Sequence, residues 1–210
     1  AEHILPNAFD PRAFAPGPKP KDLEQRYGLL GKTVLMTFGR MEAAERYKGF
    51  DEMMELLPRL QRENREKRVV YLAVGDGNDR PRLEERARRL GLANDVVFTG
   101  RISEAEKAAH YRLADAYVMP SYGEGFGFVF LEAMACGIPV VASRADGSRE
   151  AVRDGMLGLL VDPKKPDEIA AAVTKALAMP RGVVPFGLSY FEWPEFEKRV
   201  HTFVDAATKR

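Results

Sequence analysis

The chain has 210 residues, of which 45% are hydrophobic and 30% charged, with 32 Lys and Arg against 31 Asp and Glu for a formal net charge of +1. That length suits one large α/β domain with appendages, and the charge balance removes any bulk electrostatic case for a nucleic-acid partner. The single cysteine, Cys136, excludes an intrachain disulfide and fits a reducing, cytoplasmic compartment, while no apolar run approaches the ~20 residues of a membrane span.

Residues 1–20 lack an initiator Met and hold Pro6, Pro11, Pro16, Pro18 and Pro20, the composition of an extended linker with a further unit upstream. Residues 21–27 form a short charged helix. The apolar run 33–38 is a strand, ending at Gly39-Arg40. From Gly49 or Phe50 a helix begins, with Phe50, Met53, Met54 and Leu57 at i, i+3, i+4 and i+7, which Pro58 should kink or shorten. Residues 68–74 are a second strand, closed by Gly75-Asp76-Gly77, and 80–90 a helix stopped by Gly91. A third strand, 96–98, runs to Gly100-Arg101. Ser103 and Glu106 form a capping box for a helix to about Leu113. A fourth strand, 115–119, feeds a glycine-rich turn, and a helix starting near Phe128 carries Glu132 on its second turn. A fifth strand spans 139–142. Ser148 caps a short helix through Val152, stopped by Gly155, and a last strand spans 158–161. Pro166 opens a helix that ends at Ala178. In the closing segment, 181–210, Trp193, Phe196, Val200, Phe203 and Val204 line one stripe of a helix. The basic runs 59–68 and 80–89 alternate with acidic residues on helical spacing, the pattern of solvated helix faces.

These strands are apolar throughout, as in a parallel sheet covered on both faces, and they alternate with helices. The fold class is therefore α/β, a doubly wound parallel sheet. Such sheets bind ligands beyond the carboxyl ends of their strands. Two cations lie at that edge, Arg40 directly after the first strand and Lys48 at the start of the helix that follows it, and suit a phosphate or diphosphate. The turn from strand to helix through Gly125, Phe126, Gly127 and Phe128 points free amides and a helix N-terminus at an anion. Glu124 and Glu132 frame it. They suit an acid/base hydrolytic pair, or equally a pair of acceptors for sugar hydroxyls. The apolar neighbours of Glu132 imply burial, and a buried carboxylate needs partners. The stretch 75–80 begins like a dinucleotide fingerprint, but Arg80 replaces its third glycine and it follows the second strand, which argues against a nicotinamide site. His3, His110 and His201 lack partners at metal-ligand spacing, so no metal site is expected. Cys136 suits a small buried hydrophobe.

The run Glu124-Gly125-Phe126-Gly127 through Glu132-Ala133-Met134-Ala135-Cys136-Gly137-Ile138-Pro139-Val140-Val141-Ala142 closely resembles the E-x7-E signature of retaining glycosyltransferase family 4. Leu5-Pro6-Asn7-Ala8-Phe9-Asp10, Gly39-Arg40, Lys48-Gly49, Val74-Gly75-Asp76-Gly77, Val97-Phe98-Thr99-Gly100, Gly158-Leu159-Leu160-Val161-Asp162-Pro163 and Phe191-Glu192-Trp193 agree in order, so the resemblance spans nearly the whole chain. It implies a GT-B fold of two Rossmann-like halves, with 21–180 the nucleotide-sugar-binding domain of the C-terminal half and 1–20 the linker from an N-terminal half that carries most of the acceptor site. It implies that Arg40 and Lys48, with Gly39 in their loop, hold the donor diphosphate and stabilise the leaving phosphate. By the same resemblance Glu124 contacts the hexose, the amides of Gly125, Phe126, Gly127 and Phe128 face sugar and phosphates, Glu132 holds the ribose, and the main chain near Ile102 meets the base. No metal and no cofactor beyond the nucleoside-diphosphate sugar is implied. The implied reaction is glycosyl transfer with retention to a glycan, lipid or small molecule, in polysaccharide or glycoconjugate biosynthesis, in the cytoplasm or peripheral to the inner face of the membrane. The alternative is a binding or regulatory module of the same fold without turnover. The loop 41–46 departs from the family pattern in being charged and longer than a minimal turn.

Overall fold

The computed structural model describes residues 5–208, so His3 and the first residues of the predicted linker lie outside the described residues. Six strands form one all-parallel sheet: β1 (Thr33–Phe38), β2 (Val69–Val74), β3 (Val96–Phe98), β4 (Ala116–Met119), β5 (Val140–Ser143) and β6 (Leu159–Val161). Their order is β3-β2-β1-β4-β5-β6, and each lies within a residue of its predicted position. The chain steps outward from β1 to β3, returns to place β4 on the other side of β1, and steps outward again. This is the doubly wound, Rossmann-like arrangement, with its switch point between β1 and β4.

The helices are α1 (Lys21–Arg26), α2 (Phe50–Glu63), α3 (Arg80–Arg89), α4 (Lys107–Tyr111), α5 (Phe128–Ala135), α6 (Ser148–Ala151), α7 (Pro166–Leu177) and α8 (Trp193–Thr208). Successive strand side chains face opposite ways, so a sheet covered on both sides needs apolar residues at every position. All six residues of β2 are buried. Leu35, Tyr71, Val118 and Val141 pack against α2, α3 and α7, while Val34, Met36, Leu72 and Tyr117 pack against α1, α4, α5 and α6.

Four expectations change. Pro58 does not shorten α2, which continues to Glu63. The face of Met53, Met54, Leu57 and Leu60 is fully buried, and that packing outweighs the one hydrogen bond proline removes. Lys48 does not start α2 but ends a 3-10 helix, Ala43–Lys48, and the chain turns into α2 at Gly49, whose φ is 82°. A Cβ at Gly49 would lie 2.7 Å from Pro120 Cδ, so the loop after β1 and the turn after β4 meet there. Ser148 is the first helical residue of α6 rather than its cap, because Asp146 Oδ1 accepts from the Ser148 N–H at 3.1 Å. The helix predicted to reach Leu113 begins as a 3-10 turn and ends at Tyr111, where the Leu113 N–H tightens onto His110 O at 3.0 Å.

The segment before α1 docks on the body of the fold. The Phe9 N–H donates to Phe191 O at 2.9 Å, Lys19 pairs with Asp115 at 2.7 Å, and Phe9 is buried. The stripe of α8 is only partly covered: Trp193 and Val204 are exposed, Phe196, Val200 and Phe203 half-buried.

Candidate functional site

A cleft of about 500 Å³ opens at the carboxyl edge of the sheet, over the switch point. Phe38, Gly39 and Arg40 come to it from the end of β1, Gly75 and Asp76 from β2, Arg101 and Ile102 from β3, and Glu124, Gly127, Phe128 and Val129 from the turn after β4 and the start of α5. Glu42, Lys48 and Lys107 complete the lining. Four basic and three acidic side chains thus share one concavity with an aromatic wall.

Lys48 is buried, and its Nζ donates to Glu124 Oε2 at 3.1 Å. Gly39 makes this reach possible, since a Cβ there would stand 3.0 Å from Lys48 Cδ. Arg40 is 73% exposed at its side chain and pairs with Glu45 of the 3-10 helix. That helix is pinned from behind, because Arg46 donates to the buried Asp79 at 2.7 Å. Burial opposes the charge of Asp79, yet hydrogen bonds from Arg82 and Arg46 bring its pKa below the usual carboxylate value.

The glycine-rich turn is held by Asp146, which follows β5. Its Oδ2 accepts from Ser121 Oγ at 2.6 Å and from the Glu124 N–H at 2.9 Å, and the Gly147 N–H donates to Glu124 O at 2.8 Å. A Cβ at Gly147 would collide with Gly125 O. Gly127 has a φ of 91°, and a Cβ there would lie 2.6 Å from the Phe130 ring. Among the described residues, the amides of Gly125, Phe126, Gly127 and Phe128 have no hydrogen-bond acceptor. They belong to the N-terminal side of α5, where an anion is favoured by unpaired N–H groups and the helix dipole.

Of the predicted residues, Gly39, Arg40, Lys48, Ile102, Glu124, Gly127 and Phe128 line the cleft. Gly125, Phe126 and Glu132 do not. Phe126 turns inward and packs edge-to-face on Phe191 with ring centroids 5.7 Å apart, because its ring is better buried than exposed. Glu132 sits one turn further along α5, where Tyr111 Oη donates to it at 2.7 Å and Lys107 Nζ at 3.3 Å. Burial pushes the Tyr111 hydroxyl well above its usual pKa and keeps it a neutral donor. Burial works against the charge of Lys107, but its carboxylate partners Glu104 and Glu132 raise its pKa above the ordinary value. Lys107 Nζ also lies over the Phe38 ring at 5.4 Å. Cys136 is buried, and burial pushes its thiol up to about 11.

Sequence reasoning missed Glu45, Arg101, Lys107, Tyr111 and Asp146. Arg101 and Asp146 follow β3 and β5 directly, so the carboxyl-edge rule could have found both. Lys107 and Tyr111 owe their place to tertiary contacts with Glu132 that leave no local signal, whereas Glu45 pairs with Arg40 and Lys48 of its own loop, three to five residues away. Among the described residues, no group of three His, Cys, Asp or Glu is placed to hold a metal ion.

Residues 32–179 match the family model described as glycosyl transferases group 1. A GDP-mannose-dependent alpha-(1-6)-phosphatidylinositol monomannoside mannosyltransferase of Mycolicibacterium smegmatis is 38% identical over 200 residues, 91% of this chain and 51% of that protein. The chain thus spans about half the length of this curated relative. Among solved structures, sucrose-phosphate synthase from Thermosynechococcus elongatus superposes with a TM-score of 0.78 at 26% identity, over 99% of this chain and 53% of that one. The C-terminal domain of a glycosyl transferase group 1 protein from Francisella tularensis superposes with a TM-score of 0.67 at 26% identity, over 93% of this chain and 97% of that one. The chain belongs to the glycosyl transferases group 1 family, and its six-stranded sheet is that of the C-terminal Rossmann-like domain of GT-B glycosyltransferases.

Proposed function

We propose that this chain is the donor-binding half of a retaining glycosyltransferase of family 4, using a nucleoside-diphosphate sugar. The observation that carries this reading is the meeting of Lys48, Arg40 and the unpaired amides of Gly127 and Phe128 in one cleft at the switch point. A diphosphate there accepts from both cations and from the start of α5, which is how charge developing on a leaving phosphate is stabilised. Glu124, held open to the cleft by Asp146 and Lys48, accepts from the donor hexose. Glu132 serves the ribose. The main chain at Arg101 and Ile102 supplies donors and acceptors to the base. In this reading Arg40 and Lys48 provide the positive charge that a metal provides in other transferases. The donor class is also supported by the mannosyltransferase relative, which is GDP-mannose-dependent by name. The acceptor site then belongs to sequence beyond this chain, and residues 1–20 are the linker toward it.

The test is a thermal-shift titration with UDP, GDP and ADP. A ligand at 100 times its dissociation constant adds about 2.7 kcal/mol of stability. In a domain of this size that is about 5–10 °C. Lys48→Ala is expected to weaken nucleoside diphosphate binding about tenfold to a hundredfold and nucleoside binding far less, because the lost interaction is a charge-assisted bond to phosphate. No shift with any of the three nucleotides, or equal losses for nucleotide and nucleoside, would overturn the reading.

A further inference from the structure

Glu45 stands apart from the other carboxylates around the cleft. Its side chain is only 15% exposed. One oxygen pairs with Arg40; the other lies 3.7 Å from Lys48 Nζ and is buried without a hydrogen-bond partner. Lys48 donates instead to Glu124 at 3.1 Å. The two cations are thus shared between two carboxylates, of which only Glu124 lines the cleft. The backbone beneath Glu45 is fixed, since its neighbour Arg46 is bonded to the buried Asp79.

Resting on the donor-site reading above, we propose that Glu45 is the internal counter-anion of the phosphate site. Without a bound diphosphate it balances Arg40 and, together with Glu124, Lys48, and holds the two cations in place. A bound diphosphate takes both cations from it, and Glu45 then faces an anion of its own sign with one buried oxygen already lacking a donor. The residue therefore opposes diphosphate binding. It keeps the cation pair ordered between turnovers and favours release of the nucleoside diphosphate product.

Titration calorimetry on the 210-residue chain tests this, with UDP, GDP and ADP compared with uridine, guanosine and adenosine. Glu45→Gln keeps the shape and removes the charge. It is expected to bind the preferred nucleoside diphosphate roughly three- to tenfold more tightly, with nucleoside affinity unchanged, because one nearby repelling charge is gone from a partly screened site. Glu45→Asp keeps the charge and is expected to stay within about twofold of the parent. Glu45→Ala is a second neutral variant, and the melting temperature of each shows which are folded. A folded neutral variant that binds nucleoside diphosphate no more tightly than the parent overturns the counter-anion role and leaves the donor site standing. Equal tightening for nucleoside and nucleotide overturns it too, because the effect would then not act on phosphate. A parent chain that binds none of the three diphosphates overturns the donor-site reading and the counter-anion with it.

Discussion

Glu124 and Glu132 have seven residues between them in sequence yet differ in how their charges are met. Glu124 faces the cleft with Lys48 as its partner, whereas Glu132 lies behind it between Tyr111 and Lys107. A hydrolytic pair would need both carboxylates on the reacting bond, and only Glu124 lines the cleft; the proposed reading makes them two separate hydroxyl acceptors. Tyr111 holds one oxygen of Glu132 firmly, and the other meets Lys107 at the longer distance of 3.3 Å, so it is the more available to a ribose hydroxyl. Glu132→Gln places an amide NH2 where one of two donors now points. It is expected to lose about 1–3 kcal/mol of stability. Each kcal/mol lowers the melting temperature by about 2–4 °C at this chain length. The same variant is expected to discriminate less between a ribonucleoside diphosphate and its 2′-deoxy form than the parent does. Paired titrations of the two nucleotides measure this, and an unchanged preference would assign the ribose to another residue.

The element that positions the chemistry is the strand-turn-helix unit from β4 to α5, and it is not self-supporting. Asp146 reaches it from the next loop through Ser121 and the Glu124 N–H, while its other oxygen caps α6 through Ser148. Asp146→Ala removes both ends of this tie. Ser121 is buried and its hydroxyl would lose its partner away from water, at about 1–3 kcal/mol, whereas the buried Ser148 hydroxyl would still donate to Ser143 O at 3.1 Å. The expected result is a clear fall in melting temperature and about a tenfold loss of nucleoside diphosphate affinity, with Asp146→Asn intermediate in both. A parental nucleotide affinity in a destabilised Asp146→Ala would show that the turn keeps its shape without the tie. The turn itself was legible in sequence, because an apolar strand, Gly123, Gly125 and Gly127 and an apolar helix stand in unbroken order. Asp146 was not legible as its anchor, since the residues it ties down lie 25 and 22 positions earlier. Lys107 and Tyr111 escaped for the same reason: Glu132 announces the need for partners by sitting among apolar residues, but nothing local says which.

At the scale of the whole molecule, strand positions were legible because a parallel sheet buried on both faces makes each strand a continuous apolar run. The carboxyl-edge rule then placed the cleft without knowledge of strand order. Pro58 misled because packing of α2 against the sheet is a tertiary effect; α8 was legible as a helix, but its apolar stripe does not specify what covers it. The resulting domain presents its cleft at one edge, open to solvent, and spans about half of the mannosyltransferase it resembles. If acceptor binding belongs to the rest of such a protein, the 210-residue chain should separate binding from transfer. In the proposed reading, donor recognition uses residues 38–132, all present here. Transfer needs an acceptor hydroxyl held in line with the anomeric carbon, and positioning of that kind contributes about 7–11 kcal/mol to a two-substrate reaction. Incubated with GDP-mannose, UDP-glucose or ADP-glucose and a mixture of glycan and lipid acceptors, the chain is expected to bind one donor and to release its nucleoside diphosphate no faster than the uncatalysed background. Turnover near the ~1 s⁻¹ of ordinary enzymes would place an acceptor site within these residues. The faces to search would then be the exposed side of α8 at Trp193 and Val204 and the surface around Phe186, where large apolar side chains are exposed.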